Sequence, residues 1–280
     1  MQRDSLVTVE WLRDHLRDPE VRVVDCRWTL GQPGEGRRQY EAGHIPGAAH
    51  LDVDQQLSGK EGPGRHPIPD KREFQKTLSV LGVDRETLVV AYDGGQGVPA
   101  PRLWWLLRYF GHSKVAVLDG GWNRWTQSGG AVEQEIPVFR ETSFLARPRT
   151  KWMFDKETVD SLREDPEVLL IDARSPERYS GEKETVDPKA GHIPGALNLP
   201  FTEMIDPQTG FFLSCETLKG KFEKLAAKEA KTIISYCGSG ITACTNLFAL
   251  HLAGLEGVLY EGSWSEWSAD SQLPVAVERK

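Results

Sequence analysis

A chain of 280 residues with 34 Lys+Arg against 41 Asp+Glu has a formal net charge of −7, which argues against a nucleic-acid binder and allows one large domain or two smaller ones. Hydrophobic residues at 39% and nine tryptophans supply enough apolar surface for packed cores and exclude a disordered chain. No apolar run approaches the roughly 20 residues of a membrane-spanning helix, and Met1 to Glu10 lacks the continuous apolar run of a secretory signal, so no membrane partner and a cytoplasmic location are expected.

In chain order, Val21 to Asp25 is a short apolar run ending in Asp, and Gly43-His44-Ile45-Pro46-Gly47-Ala48 follows it. Arg72 to Leu81 reads as a helix, Leu88 to Tyr92 as a buried strand, and Pro101 to Phe110 as the next helix. Asp119-Gly120-Gly121-Trp122 with Trp125 closes the first half, and Glu133 to Thr150, with Pro137 and Pro148, breaks the apolar periodicity. The same landmarks then return. Val168 to Asp172 is again an apolar run ending in Asp, and Gly191-His192-Ile193-Pro194-Gly195-Ala196 repeats the first hexapeptide letter for letter. Leu218 to Ala227 reads as a helix, Thr232 to Tyr236 as a strand and Thr242 to Ala253 as a helix, and Glu261-Gly262-Ser263-Trp264 with Trp267 ends the series. Landmarks kept in order at a nearly fixed offset identify a duplicated domain, with halves expected at 1–140 and 150–280. Strand-length apolar runs alternating with helices predict an α/β fold, each half a mostly parallel sheet flanked by helices. Ligands of such sheets bind beyond the carboxyl ends of the strands.

The four cysteines, Cys26, Cys215, Cys237 and Cys244, have neither CxxC nor Cys/His ligand spacing, so no metal site and no disulfide framework are expected. No cofactor motif is present either. Cys26, Cys215 and Cys244 read as buried small hydrophobes. Cys237 differs, because it opens Cys237-Gly238-Ser239-Gly240-Ile241 between a predicted strand and a predicted helix. Two glycines let successive backbone N–H groups turn inward, and the helix start adds positive potential, so the loop is an anion cradle that favours the thiolate. The thiolate is the form that attacks electrophiles and carries an extra sulfur. The first half keeps this loop as Asp93-Gly94-Gly95-Gln96-Gly97-Val98, with Asp in place of the thiol. One half therefore reads as catalytic and the other as supporting. A cysteine-dependent phosphatase needs Arg at the sixth residue after the thiol, where this chain has Ala243. His44 and His192, repeated in both halves, read as structural, as do the four paired tryptophans.

The loop Cys237 to Ala243, the two Gly-His-Ile-Pro-Gly-Ala segments and Glu261 to Trp267 together resemble the tandem-domain rhodanese-type sulfurtransferases. The resemblance spans nearly the whole chain. An uncharged Cys-Gly-Ser-Gly-Val-Thr loop marks the 3-mercaptopyruvate branch of that family, whereas thiosulfate enzymes carry Arg and Lys after the cysteine; here Ile241 replaces Val. The resemblance implies transfer of sulfur from 3-mercaptopyruvate to a thiophilic acceptor through a persulfide on Cys237. Cyanide, a small thiol and a thioredoxin-like protein are the candidate acceptors. It implies that Gly238, Gly240, Ile241 and Thr242 line the donor site, that Ser239 offers a hydroxyl, and that Arg178 binds the donor's acid group. It also places Asp54 and His66 at the rim of the cleft and Trp28 on an aromatic wall. A histidine there shuttles a proton and a carboxylate orients it, or both merely tie down a long loop. The family's second arginine, shortly before the Gly-His-Ile-Pro-Gly segment, is missing, because Ser180 to Ala190 holds only Lys183 and Lys189. A lysine as point charge or a different donor is expected in its place. The alternatives are a thiosulfate:cyanide sulfurtransferase and a persulfide carrier or sensor that does not turn over.

Overall fold

The computed structural model describes residues 5–225 and 229–278. Contacts divide the chain into two units, one within Met1–Gly59, Ile68–Arg149 and Ile205–Phe212, the other within Lys60–Pro67, Thr150–Met204 and Leu213–Lys280. The first unit holds strands β1 (Leu6–Val7), β2 (Val21–Asp25), β3 (Ala49–His50), β4 (Leu88–Tyr92) and β5 (Val115–Leu118). Its helices are α1 (Val9–His15), α2 (Glu35–Ala42), α3 (Lys71–Val80), α4 (Ala100–Tyr109) and α5 (Gly121–Gln127). The second unit holds β6 (Met153–Phe154), β7 (Val168–Asp172), β8 (Leu197–Asn198), β9 (Thr232–Tyr236) and β10 (Val258–Tyr260). Its helices are α6 (Lys156–Leu162), α7 (Pro176–Ser180), α8 (Cys215–Glu223), α9 (Ala243–Leu252) and α10 (Ser263–Trp267). The sheets run β1-β5-β4-β2-β3 and β6-β10-β9-β7-β8, and every strand pairing in them is parallel. The α/β fold read from the duplicated pattern is the fold observed. No helix among the described residues is long and apolar enough to cross a membrane.

Local sequence sets the elements. The inner strands β4 and β9 are buried nearly throughout, as parallel strands covered by helices must be. Asp70 caps α3 by accepting the N–H groups of Arg72 and Glu73, and Asp155 caps α6 through the Thr158 N–H. The helices expected at Arg72 to Leu81, Pro101 to Phe110 and Thr242 to Ala253 appear within one residue at each end. The helix expected at Leu218 starts instead at Cys215, because Ser214 accepts the Thr217 N–H and opens the helix there; Ala227 lies outside the described residues. That earlier start corrects the reading of Cys215, which sits exposed in the first turn, whereas Cys26 and Cys244 are buried. Burial pushes the Cys26 thiol well above its ordinary range, with Asp25 and Asp93 adding to the rise.

The repeated residues form the two cores. Val23, Ile45, Ala48, Val90, Tyr92 and Trp125 pack together in the first, and Leu170, Ile193, Ala196, Ile234, Tyr236 and Trp267 in the second. The hexapeptide is a turn anchored from several sides. His44 Nδ1 lies 2.8 Å from the Tyr40 carbonyl and His192 Nδ1 2.8 Å from that of Tyr179, and the two tyrosine hydroxyls donate at 2.7 Å to Ala48 and Ala196. Gly47 and Gly195, at φ +73° and +90°, take the left-handed backbone the turn requires. Both histidines are thus structural in place and partner. Each strand-ending Asp, Asp25 or Asp172, binds the arginine two residues on through both oxygens. Those arginines, Arg27 and Arg174, also donate at 2.7 Å to the carbonyls of Gly43 and Gly191, which fastens the turn to the strand end.

In the first unit, Asp119 accepts the Phe212 N–H at 2.9 Å, and burial pushes its carboxyl from 3.8 up to about 6 against the pull of that bond and of the Gly120 N–H. A carboxyl that holds its proton more tightly when folded contributes stability below its unfolded value, and that stability is lost as pH rises through the folded value. Asp119→Asn keeps an acceptor for Phe212 without the charge. It is expected to be more stable than the wild type by roughly 2–3 kcal/mol at neutral pH, an advantage that shrinks toward pH ~4. Urea unfolding of both proteins at the two pH values checks this; an advantage of the same size at both would contradict it.

Candidate active site

In the second sheet, β7 leads to β8 on one side while β9 lies on the other, so the loops that follow β7 and β9 part at the strands' carboxyl ends. Such a switch point is where doubly wound sheets open a ligand crevice. Cys237 is the first residue past β9, and Arg178 lies on α7, the helix that follows β7. Cys237 is 2% exposed. The Gly240 N–H points at its sulfur, with 3.1 Å between N and Sγ. Gly240 takes φ +79°, a left-handed conformation that suits glycine and turns that N–H inward. The Cys237 N–H donates to Ser263 Oγ at 3.2 Å, and the Ser263 hydroxyl donates onward to the Tyr260 carbonyl at 3.0 Å. Ser263 itself sits at φ +53°, the only non-glycine with positive φ among the described residues. The carbonyls of Cys237 and Gly238 accept the N–H groups of Trp264 and Ser265 at 2.9 Å each, so the start of α10 holds the thiol loop from behind.

The equivalent loop of the first unit is filled by its own side chain. Asp93 takes the place of the thiol, and its carboxylate accepts the N–H groups of Gly95 at 2.8 Å and Ala100 at 3.2 Å. Burial pushes the Asp93 carboxyl up, and the backbone N–H groups of Gly95, Ala100, Gln96 and Gly97 oppose that rise. In that half the backbone N–H groups of the loop are aimed at its own acidic side chain.

Two further predicted residues meet at the thiol loop. Ser239 Oγ and His66 Nδ1 are 2.7 Å apart, and both side chains are buried. His66 belongs to the second unit through the 60–67 segment, where the Arg65 N–H donates to Ser265 Oγ at 3.0 Å. Gly64 makes this approach close: a Cβ there would fall 2.4 Å from the Gly262 carbonyl oxygen. Arg178 reaches the same place, since a Cβ built on Gly238 would lie 3.2 Å from its Nη1. Trp28 and Asp54 belong to the first unit, where the Trp28 indole N–H donates to Asp54 Oδ2 at 3.0 Å. Ile241 and Cys244 are buried on the helix side of the loop, with the Cys244 thiol donating to the Gly240 carbonyl at 3.3 Å, and Thr242 is the residue before α9.

Sequence reasoning missed three residues here. The same hypothetical Cβ on Gly238 lies 3.3 Å from Arg65 Nη2, so a second guanidinium flanks the peptide after the thiol. Asp187, its side chain 1% exposed, accepts from Arg65 Nη1 at 2.7 Å and from Arg178 Nη2 at 2.6 Å. Glu184 accepts from Arg178 Nε and Nη2, and Val186 and Asp187 donate their backbone N–H groups to it. Lys189 donates to the Asp270 carbonyl at 2.7 Å, and Lys183 is exposed.

The sequence pattern of the family described as "Rhodanese-like domain" matches residues 8–128 and 155–270, which include both strand-to-helix loops. The chain belongs to the rhodanese-like family. A relative described as a probable 3-mercaptopyruvate sulfurtransferase, from Pseudomonas aeruginosa, is 40% identical over 99% of this chain and 99% of its own. The protein described as putative thiosulfate sulfurtransferase SseB, from Mycobacterium tuberculosis, is 35% identical over 92% of this chain and 91% of its own. The crystal structure of SseA from Escherichia coli, reported for the rhodanese fold and catalytic mechanism of 3-mercaptopyruvate sulfotransferases, superposes with a TM-score of 0.84 at 34% identity, covering 93% of this chain and 99% of that one. The rhodanese-like domain therefore occurs twice here, once with Asp and once with Cys at the head of its strand-to-helix loop.

Proposed function

We propose that the chain is a sulfurtransferase that takes sulfur from 3-mercaptopyruvate and hands it to a thiophilic acceptor through a persulfide on Cys237. The observation that carries this reading is the 2.7 Å contact between Ser239 and His66, two residues from a thiol whose sulfur faces the Gly240 N–H. Mercaptopyruvate brings a proton on its sulfur, and its carbon leaving group needs a proton. Thiosulfate brings none and needs none. A hydroxyl–imidazole pair beside the sulfur is therefore suited to the first donor and superfluous for the second.

In the first step the Cys237 thiolate attacks the donor sulfur. A sulfur–sulfur bond forms, the donor carbon–sulfur bond breaks, and its electron pair stays on carbon as the enolate of pyruvate. The proton that leaves the donor sulfur passes through Ser239 and His66 to that carbon, giving pyruvate and a persulfide anion. The charge ends on the outer sulfur, where inward N–H groups of the Gly238 to Thr242 loop favour it. In the second step an acceptor nucleophile takes the outer sulfur and the thiolate returns. Arg178 holds the donor carboxylate through its planar fork. Ile241 walls the site beside the thiol. Asp54 and Trp28 belong to the reading as rim residues, and no proton step is routed through them. Cyanide, a small thiol and a thioredoxin-like protein remain the acceptor classes, and free thiols with this chemistry accord with a reducing cytoplasm.

Steady-state kinetics with both donors and a common acceptor tests the reading. We expect pyruvate to be released in many-fold excess over enzyme, and kcat/KM to favour mercaptopyruvate over thiosulfate by at least about tenfold. A preference for thiosulfate would reverse the choice of donor. A single stoichiometric burst with every acceptor would instead identify a carrier.

A further inference from the structure

Two guanidiniums, not one, stand against the peptide that follows the thiol, and they share a single buried carboxylate. From this juxtaposition we propose that Arg65 is a second carboxylate-binding residue of the donor site, paired with Arg178, and that Asp187 is the internal carboxylate that occupies both until the donor's acid group competes for them. The proposal rests on the reading of the donor as a thiol-bearing 2-oxo acid.

Arg65 Nη2 and Arg178 Nη1 lie at nearly equal distances, 3.3 and 3.2 Å, from the point where a side chain on Gly238 would begin. Any larger residue at 238 would meet both, so glycine leaves that space open next to the sulfur. Each oxygen of Asp187 takes one arginine, Oδ1 from Arg65 and Oδ2 from Arg178, so one internal carboxylate occupies both planar groups. Asp187 is in turn set by its own N–H bond to Glu184. Arg65 keeps donor capacity in reserve, because its Nε is buried and has no hydrogen-bond partner among the described residues. The side chains of Arg65 and Arg178 are 30% and 22% exposed, so both remain reachable by a small anion.

Charge counting points the same way. Arg65 and Arg178 face Glu184 and Asp187, while Arg174 is bound to Asp172 and reaches Glu184 at 3.5 Å. The group is neutral before the donor arrives. Arg178 alone, shared between Glu184 and Asp187, has little positive charge left for a carboxylate. A second fork supplies it, in the role for which no arginine was found between 180 and 190. Asp187 competes with the donor for both arginines.

The test uses the full-length enzyme with Arg65→Gln, Arg65→Lys and Asp187→Asn. For each, KM and kcat for 3-mercaptopyruvate are measured with saturating acceptor, along with inhibition by pyruvate, which has the carboxylate and no sulfur. Arg65→Gln is expected to raise both KM and the pyruvate inhibition constant about ten- to a hundredfold while kcat stays within about threefold. Arg65→Lys recovers part of the loss, and Asp187→Asn leaves KM equal to or below that of the wild type. If Arg65 merely ties the 60–67 segment and His66 in place, Arg65→Gln lowers kcat, and Asp187→Asn, which breaks the same tether, moves every parameter in the same direction. That result, or an unchanged KM in Arg65→Gln, overturns the proposal. Should Arg65→Gln not fold, the contrast between Arg65→Lys and Asp187→Asn decides it: the first raising KM and the second not supports the proposal, and any other pattern overturns it. A wild-type enzyme that releases no pyruvate from mercaptopyruvate would overturn the underlying reading instead, before any variant is compared.

Discussion

Cys237→Ser is expected to lower pyruvate release from 3-mercaptopyruvate by on the order of 10⁴- to 10⁶-fold, the scale on which enzymes lose turnover with their covalent nucleophile. Serine fits the space, and its oxygen accepts the Gly240 N–H that now points at sulfur. The loop itself is held by backbone bonds from Trp264 and Ser265 and by the Ser263 hydroxyl, none of which involves the Cys237 side chain. Stability is therefore expected to change by no more than about 1 kcal/mol. Activity vanishes because a neutral hydroxyl does not attack sulfur and forms no persulfide. Pyruvate release with a coupled assay, and urea unfolding of the same samples, check both halves of the expectation. A loss of less than tenfold would remove Cys237 from the mechanism.

The second large effect concerns stability. Arg174→Met is expected to cost about 3–5 kcal/mol, the range found when one member of a buried ion pair is deleted. The side chains of Arg174 and Asp172 are 1% and 0% exposed, and the arginine also bonds the Gly191 carbonyl. Removing it strands a buried carboxylate at the end of β7 and frees the turn that follows Tyr179. Pairing the change with Asp172→Leu is expected to recover much of the loss, since the stranded carboxylate is gone and Glu184, which also reaches Arg174, keeps Arg178. The first unit repeats the arrangement with Arg27 and Asp25, so Arg27→Met serves as an internal replicate. Urea midpoints of the single and double variants measure these effects. A single-variant loss below about 1 kcal/mol would mean that water reaches the pair and pays for the missing partner.

The duplication was legible because the residues that recur pack. Ile45 and Ile193, Tyr92 and Tyr236, and Trp125 and Trp267 are all core residues at equivalent places, so spacing alone gave the two sheets and their order in the chain. The two strand-ending aspartates were also visible, but their partners were not, because an arginine two residues past a strand looks like any loop arginine until burial is known. Cys215 was misread because the start of its helix was set by apolar spacing rather than by Ser214, whose cap was written in Ser-Cys-Glu-Thr.

The site divides in the same way. Cys237 and Ser239 come from the loop that follows β9 and Arg178 from the helix that follows β7 of the same sheet, and their motifs carry them. His66 was found through a motif, yet nothing local foretold that it would meet Ser239, 173 residues away. Arg65 stands beside it, outside the 180–190 segment in which the family resemblance places a second arginine. The pairing that reveals it spans 122 residues, between Arg65 and Asp187. A cation next to a predicted site histidine in a glycine-rich segment, Gly62-Pro63-Gly64-Arg65-His66, was the available signal. Asp187 and Glu184 gave none, because acidic residues in a polar loop read as solvated surface.

The most direct measurement is the mass of the intact chain after incubation with 3-mercaptopyruvate in the absence of acceptor. The account predicts a gain of one sulfur atom on the wild type, released as an acceptor is added, and no gain on Cys237→Ser. An unchanged wild-type mass, or a gained sulfur that persists when Cys237 is replaced, would contradict it.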